Sequence, residues 1–195
     1  MLQYPLDLRF KIVTLGTRVR VTDAIGTEVA YLRKKKFRLK EEVTVYTDEG
    51  QSRVLFQINA DRILDFSANY AISGGDGVPL GAVRRQGMRS IWRTSYGIAD
   101  ATRTEIGGIR EENAWVKVAD SLLEMLPFGD ALGGLFFNPS YLISVRSTPV
   151  LRLRKRRALF EGRFTLEKLV DIPEREEQLL LASTLMMLIL ERDRG

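Results

Sequence analysis

Neither cysteine nor histidine occurs anywhere in this chain. The first absence excludes disulfides and thiolate metal sites, and it suits a reducing compartment. The second removes Ser-His-Asp and Cys-His nucleophilic centres, imidazole metal ligation and any histidine-based pH switch. The start of the chain, Met1-Leu2-Gln3-Tyr4-Pro5, lacks a charged segment leading into an apolar run, so no secretory signal is expected there and a cytoplasmic protein is. What is present is ordinary for a globular chain: 195 residues, 45% hydrophobic and 28% charged, enough for one substantial core. The net charge of +5 tilts the partners towards anions.

One stretch near the end organises the rest. From Leu179 to Leu190 every residue is apolar except Ser183 and Thr184. A helix that is apolar on all faces has to be enclosed on all sides. Twelve residues make a rod of roughly 18 Å, short of the ~20 apolar residues that span a bilayer, so no transmembrane segment is expected. Its boundaries read as helical. Pro173 suits the first turn, Glu174, Glu176 and Glu177 complement the positive end of the dipole, and Arg192 and Arg194 the negative end. Ser183 and Thr184 can bond back to carbonyls one turn earlier.

The remainder reads as strands. Leu6 to Val13 alternates apolar and polar residues, and Arg18 to Thr22, Glu28 to Leu32, Glu42 to Tyr46 and Arg53 to Ile58 continue the pattern, as do Phe66 to Ile72, Leu80 to Val83 and Arg89 to Ile98. Turn signals centred on Asp23, Asp48, Asp76 and Asp100 lie 25, 28 and 24 residues apart, leaving room for two strands and a second, often basic, turn between them. Such a cadence favours an antiparallel sandwich or barrel over βαβ units. Glu111 to Leu126 then has helical periodicity with one apolar face, ended by Pro127 and a glycine-bearing connector with Leu135-Phe136-Phe137. Strands resume from Tyr141 to Val145, from Val150 to Leu153 and from Phe160 to Leu166. The expected organisation is a single domain over 1–195. Its first half is 1–110, an inserted amphipathic helix and loop fill 111–138, the second half is 139–170, and the core helix is 172–192. Leu32-Arg33-Lys34-Lys35-Lys36 resembles Leu153-Arg154-Lys155-Arg156-Arg157 at an offset of 121 residues, which also aligns Val43-Thr44-Val45 with Phe164-Thr165-Leu166. This suggests duplication, although basic hairpin turns also recur for generic reasons.

Val19-Arg20-Val21-Thr22-Asp23-Ala24-Ile25-Gly26-Thr27-Glu28-Val29 resembles the strand, D-x-x-G turn and returning strand that open LURP-one-related proteins. Arg33 to Lys36 and Asp48-Glu49-Gly50 fall where that family places its next basic stretch and turn, and Tyr141 to Val145 with the apolar helix resemble its closing elements. The resemblance implies the fold shared with phospholipid scramblases and the tubby C-terminal domain: mainly β, a closed antiparallel barrel of roughly twelve strands threaded by a hydrophobic C-terminal helix. The insertion at 111–138 departs from that pattern.

The densest positive charge lies at Lys34, Lys35, Lys36, Arg38 and Lys40, then at Arg84, Arg85 and Arg89, then at Arg152, Arg154, Lys155, Arg156 and Arg157. If the hairpin ends that carry these runs meet on one rim, they make a multivalent site for anionic phospholipid head groups. The resemblance points the same way, since tubby-like domains bind phosphoinositides, but no head-group motif of that superfamily matches residue by residue. The default alternative is solvated turns on a protein-interaction or structural scaffold. Nucleic acid is the weaker use of the same charge, with Phe37, Trp92 and Tyr96 as the nearby aromatics. The helix at Trp115 to Leu126 with Leu135 to Phe137 suits barrel capping or contact with a protein partner or a second subunit better than lipid, because its polar face is acidic. No residue set suggests catalysis, and no cofactor is expected. Gly74 to Gly81 lacks the Lys-Ser/Thr of a phosphate loop and reads as a hairpin turn. Asp61 with Asp65, and Glu174 with Glu176 and Glu177, suit a turn and a helix start. Asp76 and Asp100 do not begin a calcium-loop pattern, so no metal is expected. The expectation is a non-enzymatic, cytoplasmic binding module at most peripherally associated with membrane.

Overall fold

A computed structural model describes residues 2–13, 16–35, 42–60, 69–86, 95–112, 139–156 and 162–192. Among them are twelve strands: β1 (Leu6–Val13), β2 (Gly16–Thr22), β3 (Glu28–Lys35), β4 (Glu42–Tyr46), β5 (Val54–Ala60), β6 (Asn69–Gly74), β7 (Pro79–Gln86), β8 (Ser95–Asp100), β9 (Glu105–Glu111), β10 (Ser140–Val145), β11 (Thr148–Arg156) and β12 (Gly162–Lys168). Each pairs antiparallel with its neighbours in sequence, and β12 pairs with β1 to close the barrel. Closure leaves no strand edge unpaired. One helix among the described residues, α1 (Glu174–Arg192), follows β12.

The alternation in each strand decides what faces α1. Leu6, Leu8 and Phe10 are buried, while Arg9 and Lys11 between and after them are exposed, and the same phase recurs around the sheet. The inward side chains and α1 form one continuous apolar cluster. From Leu179 to Ile189 every residue of α1 is buried, hydroxyls included. Thr184 Oγ1 donates to the Leu180 carbonyl at 2.7 Å, one turn back as expected. Ser183 does not follow suit: among the described residues its hydroxyl has no partner. The helix begins at Glu174, with Pro173 just ahead of it contributing the carbonyl that receives the Glu177 N–H. Glu177, buried, meets Lys168 Nζ at 3.0 Å, and Lys168 lies over the Tyr4 ring. Near the other end of α1, the Tyr96 hydroxyl donates to Glu191 at 2.6 Å. Among the described residues no helix is long and apolar enough to cross a membrane. The outer wall carries charged residues such as Asp7, Arg9 and Arg20 while the interior is apolar, the reverse of a barrel that spans a bilayer.

One expectation needs correction. The helical periodicity assigned from Glu111 does not begin there. Glu111 closes β9, and the Glu112 N–H donates to the Ser140 carbonyl at 2.7 Å, extending the β9–β10 pairing. Residues 113–138, including the expected insertion from Trp115 to Phe137, lie outside the described residues. The strand β9 itself was missed, because Gly107 and Gly108 at its centre dilute the apolar alternation. The repeat at an offset of 121 residues relates β3–β4 to β11–β12, eight strands along.

The aspartate turns are built alike. Asp23 Oδ1 accepts from the N–H groups of Ile25 and Thr27, Asp76 Oδ1 from Val78, and Asp100 Oδ1 from Thr102 and Thr104. The turns beginning at Asp23, Asp48 and Asp100 each place a positive-φ residue three positions later, namely Gly26, Gln51 and Arg103. These turns fix how stability depends on pH. Hydrogen bonds from Ser52 and Thr47 hold Asp48 below the usual carboxylate range, and the Thr102 hydroxyl does the same for Asp100. Their contribution is complete above the unfolded value of about 3.9 and is lost as pH falls through the depressed folded values. At the alkaline end, burial first and the carboxylates Glu177, Glu191 and Glu111 second raise Tyr4, Tyr96 and Tyr141, and the Glu177 hydrogen bond raises Lys168. Those contributions are complete below about pH 10 and are lost as pH rises through the raised folded values. With no histidine between these limits, melting temperature is expected to be flat from about pH 5 to 9 and to fall on both sides. A slope centred near neutrality in a pH series of thermal melts would contradict this.

Candidate functional site

Strand direction alternates, so the barrel has two unlike ends. The turns at Asp23, Asp48, Asp76 and Asp100 all join an even strand to the next odd strand and lie at one end. The odd strands finish at the other end, and the basic runs finish with them. Arg33, Lys34 and Lys35 end β3, Arg84 and Arg85 lie near the end of β7, and Arg154, Lys155 and Arg156 end β11. The sequence leaves open whether these runs meet on one rim; the strand directions put the described members at the same end of the barrel. In the closed order β3, β7 and β11 are each four strands from the next, so the three clusters are evenly distributed around the rim. Lys36, Arg38, Lys40, Arg89 and Arg157 lie outside the described residues, as does the side chain of Lys35.

The three clusters repeat one local pattern. A buried inward residue (Leu32, Val83 or Leu153) is followed by an exposed outward arginine (Arg33, Arg84 or Arg154) and then by a cation in the inward phase (Lys34, Arg85 or Lys155). The core residue anchors each strand end, so the two cations that follow diverge to opposite sides of the rim. Arg154 meets Glu167 at 3.5 Å. Among the described residues, no carboxylate lies within salt-bridge range of Arg84, Arg85, Lys155 or Arg156. Arg85 sits opposite Tyr96 in the β7–β8 register, beside the Tyr96–Glu191 hydrogen bond, so the mouth of the barrel is polar where α1 ends.

Other features read from sequence resolve differently. Tyr96 is buried and bonded to Glu191, so it is not available to stack a base, while Phe37 and Trp92 are outside the described residues. Gly74 to Gly81 forms the β6–β7 hairpin, and the carboxylates of Asp76 and Asp100 are engaged with the backbone of their own turns. Among the described residues no group of three or more acidic side chains is placed to hold a metal ion. Asp61 and Asp65 are not described. A second set of cations, Arg9, Lys11, Arg18, Arg20 and Arg163, stands singly along the strands and forms no charge run. The signal was the alternation itself, as in Arg9-Phe10-Lys11 and Arg18-Val19-Arg20, which sends successive cations to one face.

No protein-family model, no curated protein and no solved structure matches this chain. The reading of the site therefore rests on its own geometry.

Proposed function

We propose that this chain is a LURP-one-related, tubby-like barrel that acts as a non-enzymatic binding module, engaging anionic phospholipid head groups through the basic end of the barrel. The observation that carries the reading is the convergence of three basic strand ends, far apart in sequence, on the end opposite the aspartate turns. Support comes also from the interior. A barrel lumen is where a small substrate would sit, and here α1 fills it. The closed barrel threaded by a C-terminal helix is the architecture that the family resemblance implies. Each cation held near an anionic surface contributes ~1 kcal/mol, so several weakly held side chains suffice without a pocket.

Cosedimentation with phosphatidylserine–phosphatidylcholine vesicles tests this. Binding is expected at low salt, weakened at moderate salt and absent with phosphatidylcholine alone. Replacing Lys34, Lys35 and Lys36 together with Glu is expected to lower partitioning by on the order of 100-fold or more. No binding at either salt would remove the lipid reading. A second reading, a protein-interaction scaffold with no lipid role, draws on the opposite end, where Ile25, Val78, Leu169 and Val170 are exposed. It is the reading that remains if vesicles are not bound.

A further inference from the structure

The strand register assembles cations that the sequence keeps apart. On the outer wall Arg156 of β11 stands directly opposite Arg163 of β12, Arg163 opposite Arg9 of β1, and Arg9 opposite Arg20 of β2. Four arginines thus lie side by side across four adjacent strands, a row of about 14 Å at the usual strand spacing. A second row runs beside it, with Lys11 opposite Arg18 and Arg18 opposite Arg33. Direct cross-strand neighbours share a face, and like charges placed so destabilise a sheet.

Carboxylates answer only part of this charge. Asp7 meets both Arg9 at 3.1 Å and Arg163 at 3.0 Å, and Arg20 is taken by Glu28 and Glu49. Among the described residues Arg18, Arg33 and Arg156 have no carboxylate within salt-bridge range, and the Nε–H groups of Arg18 and Arg163 are buried without an acceptor. Across the barrel the middle of the wall is neutral, with the outward Arg84 nearer the rim. The corresponding row there is Asn59, Ala71, Ala82 and Ala99, each directly opposite the next. A sheet that sets arginine against arginine on one side and alanine against alanine on the other holds its repulsion where an external anion can relieve it.

Resting on the lipid reading above, we infer that the membrane-facing surface extends from the β3 and β11 ends of the basic rim along this arginine wall, through β12, β1 and β2, so that the barrel lies tilted onto this side rather than standing upright on the whole rim. Two of the three rim clusters, on β3 and β11, border the wall. The third, Arg84 and Arg85 on β7, is four strands from either and faces away from the lipid. Lipid fits the wall better than nucleic acid because the row offers no ring for a base. Tyr31, next in register after Arg20, is only 4% exposed.

Two variants that remove equal charge decide the matter, measured with phosphatidylserine–phosphatidylcholine vesicles. At about fivefold per cation, Arg9→Gln with Arg18→Gln is expected to weaken binding by on the order of 25-fold, and Arg84→Gln with Arg85→Gln by less than about twofold. Equal losses, or a larger loss from the β7 pair, would show an end-on or diffuse contact and overturn the side-on inference while leaving the lipid reading intact. Failure of the unmodified protein to bind would end both. A single-stranded oligonucleotide that displaces the vesicles and binds more tightly than they do would reassign the wall to nucleic acid. Thermal melting of Arg18→Gln alone supplies the structural control. Relief from Lys11 and Arg33 is expected to leave the melting temperature unchanged or raised, whereas a fall of several degrees would make the arginine a structural residue and overturn the inference.

Discussion

Leu185→Asp is expected to yield no folded protein. Leu185 lies within α1, is fully buried, and is flanked by Thr184 and Met186, which are equally enclosed. A carboxylate there has either to ionise in an apolar lumen, at a cost of several kcal/mol even after relaxation, or to remain protonated without partners. A domain has only about 5–15 kcal/mol of net stability to lose. Strand closure aggravates the effect, because inward residues from around the barrel lean on the same helix. Leu185→Ala, which removes volume and adds no polarity, is expected to cost about 2–5 kcal/mol and to shift the denaturant midpoint without abolishing the transition. Ile25→Asp, at a turn residue that is 69% exposed, is the matched control and should leave the melt unchanged. If Leu185→Asp melted within a few degrees of the unmodified protein, α1 would not be an internal plug.

Gly107→Ala is expected to be among the most damaging single-methyl changes in the described sheet. A β-carbon on Gly107 would overlap the carbonyl oxygen of Ser144 on β10, and one on Gly108 would press the carbonyl oxygen of Tyr96 on β8. The obstacles are backbone atoms of the two strands that flank β9, so no rotamer change relieves them. In an open sheet the neighbouring strand could slide away, but here displacement has to be shared around a closed ring. The loss should reach or exceed the ~1–3 kcal/mol typical of overpacking. Gly26→Ala separates this from backbone strain: its φ is 87° and nothing lies within 4 Å of the added carbon, so only the roughly 1–2 kcal/mol of left-handed conformation is at stake. Chemical denaturation of both variants gives the comparison, and a smaller loss at Gly107 than at Gly26 would show that β9 is not tightly flanked.

Between them these two sites mark what could be read early and what could not. Leu185 sits in a run so uniformly apolar that enclosure follows from solvation alone. The aspartate turns were equally readable, because a side-chain oxygen that caps its own loop is a local device. Gly107 lies in a strand that alternation did not reveal. Its sequence, Glu-Ile-Gly-Gly-Ile-Arg-Glu, carries two apolar side chains, and its membership of the sheet is a matter of backbone approach. Likewise the helical period beginning at Glu111 is a real pattern, but Glu111 and Glu112 are claimed by pairing with β10, a non-local interaction that outweighs local preference.

Composition and patterning by themselves determined that this chain folds around a greasy C-terminal helix, that strands surround it, and that its chemistry excludes thiol and imidazole. Each of those follows from how single residues or short runs interact with water. Only the tertiary structure decided which cations are neighbours. Whether Arg9 faces Arg20 and Arg163, or water on both sides, depends on register across a ring closed between the first strand and the last. Register is set by the sum of contacts over the whole barrel, and no short segment contains it.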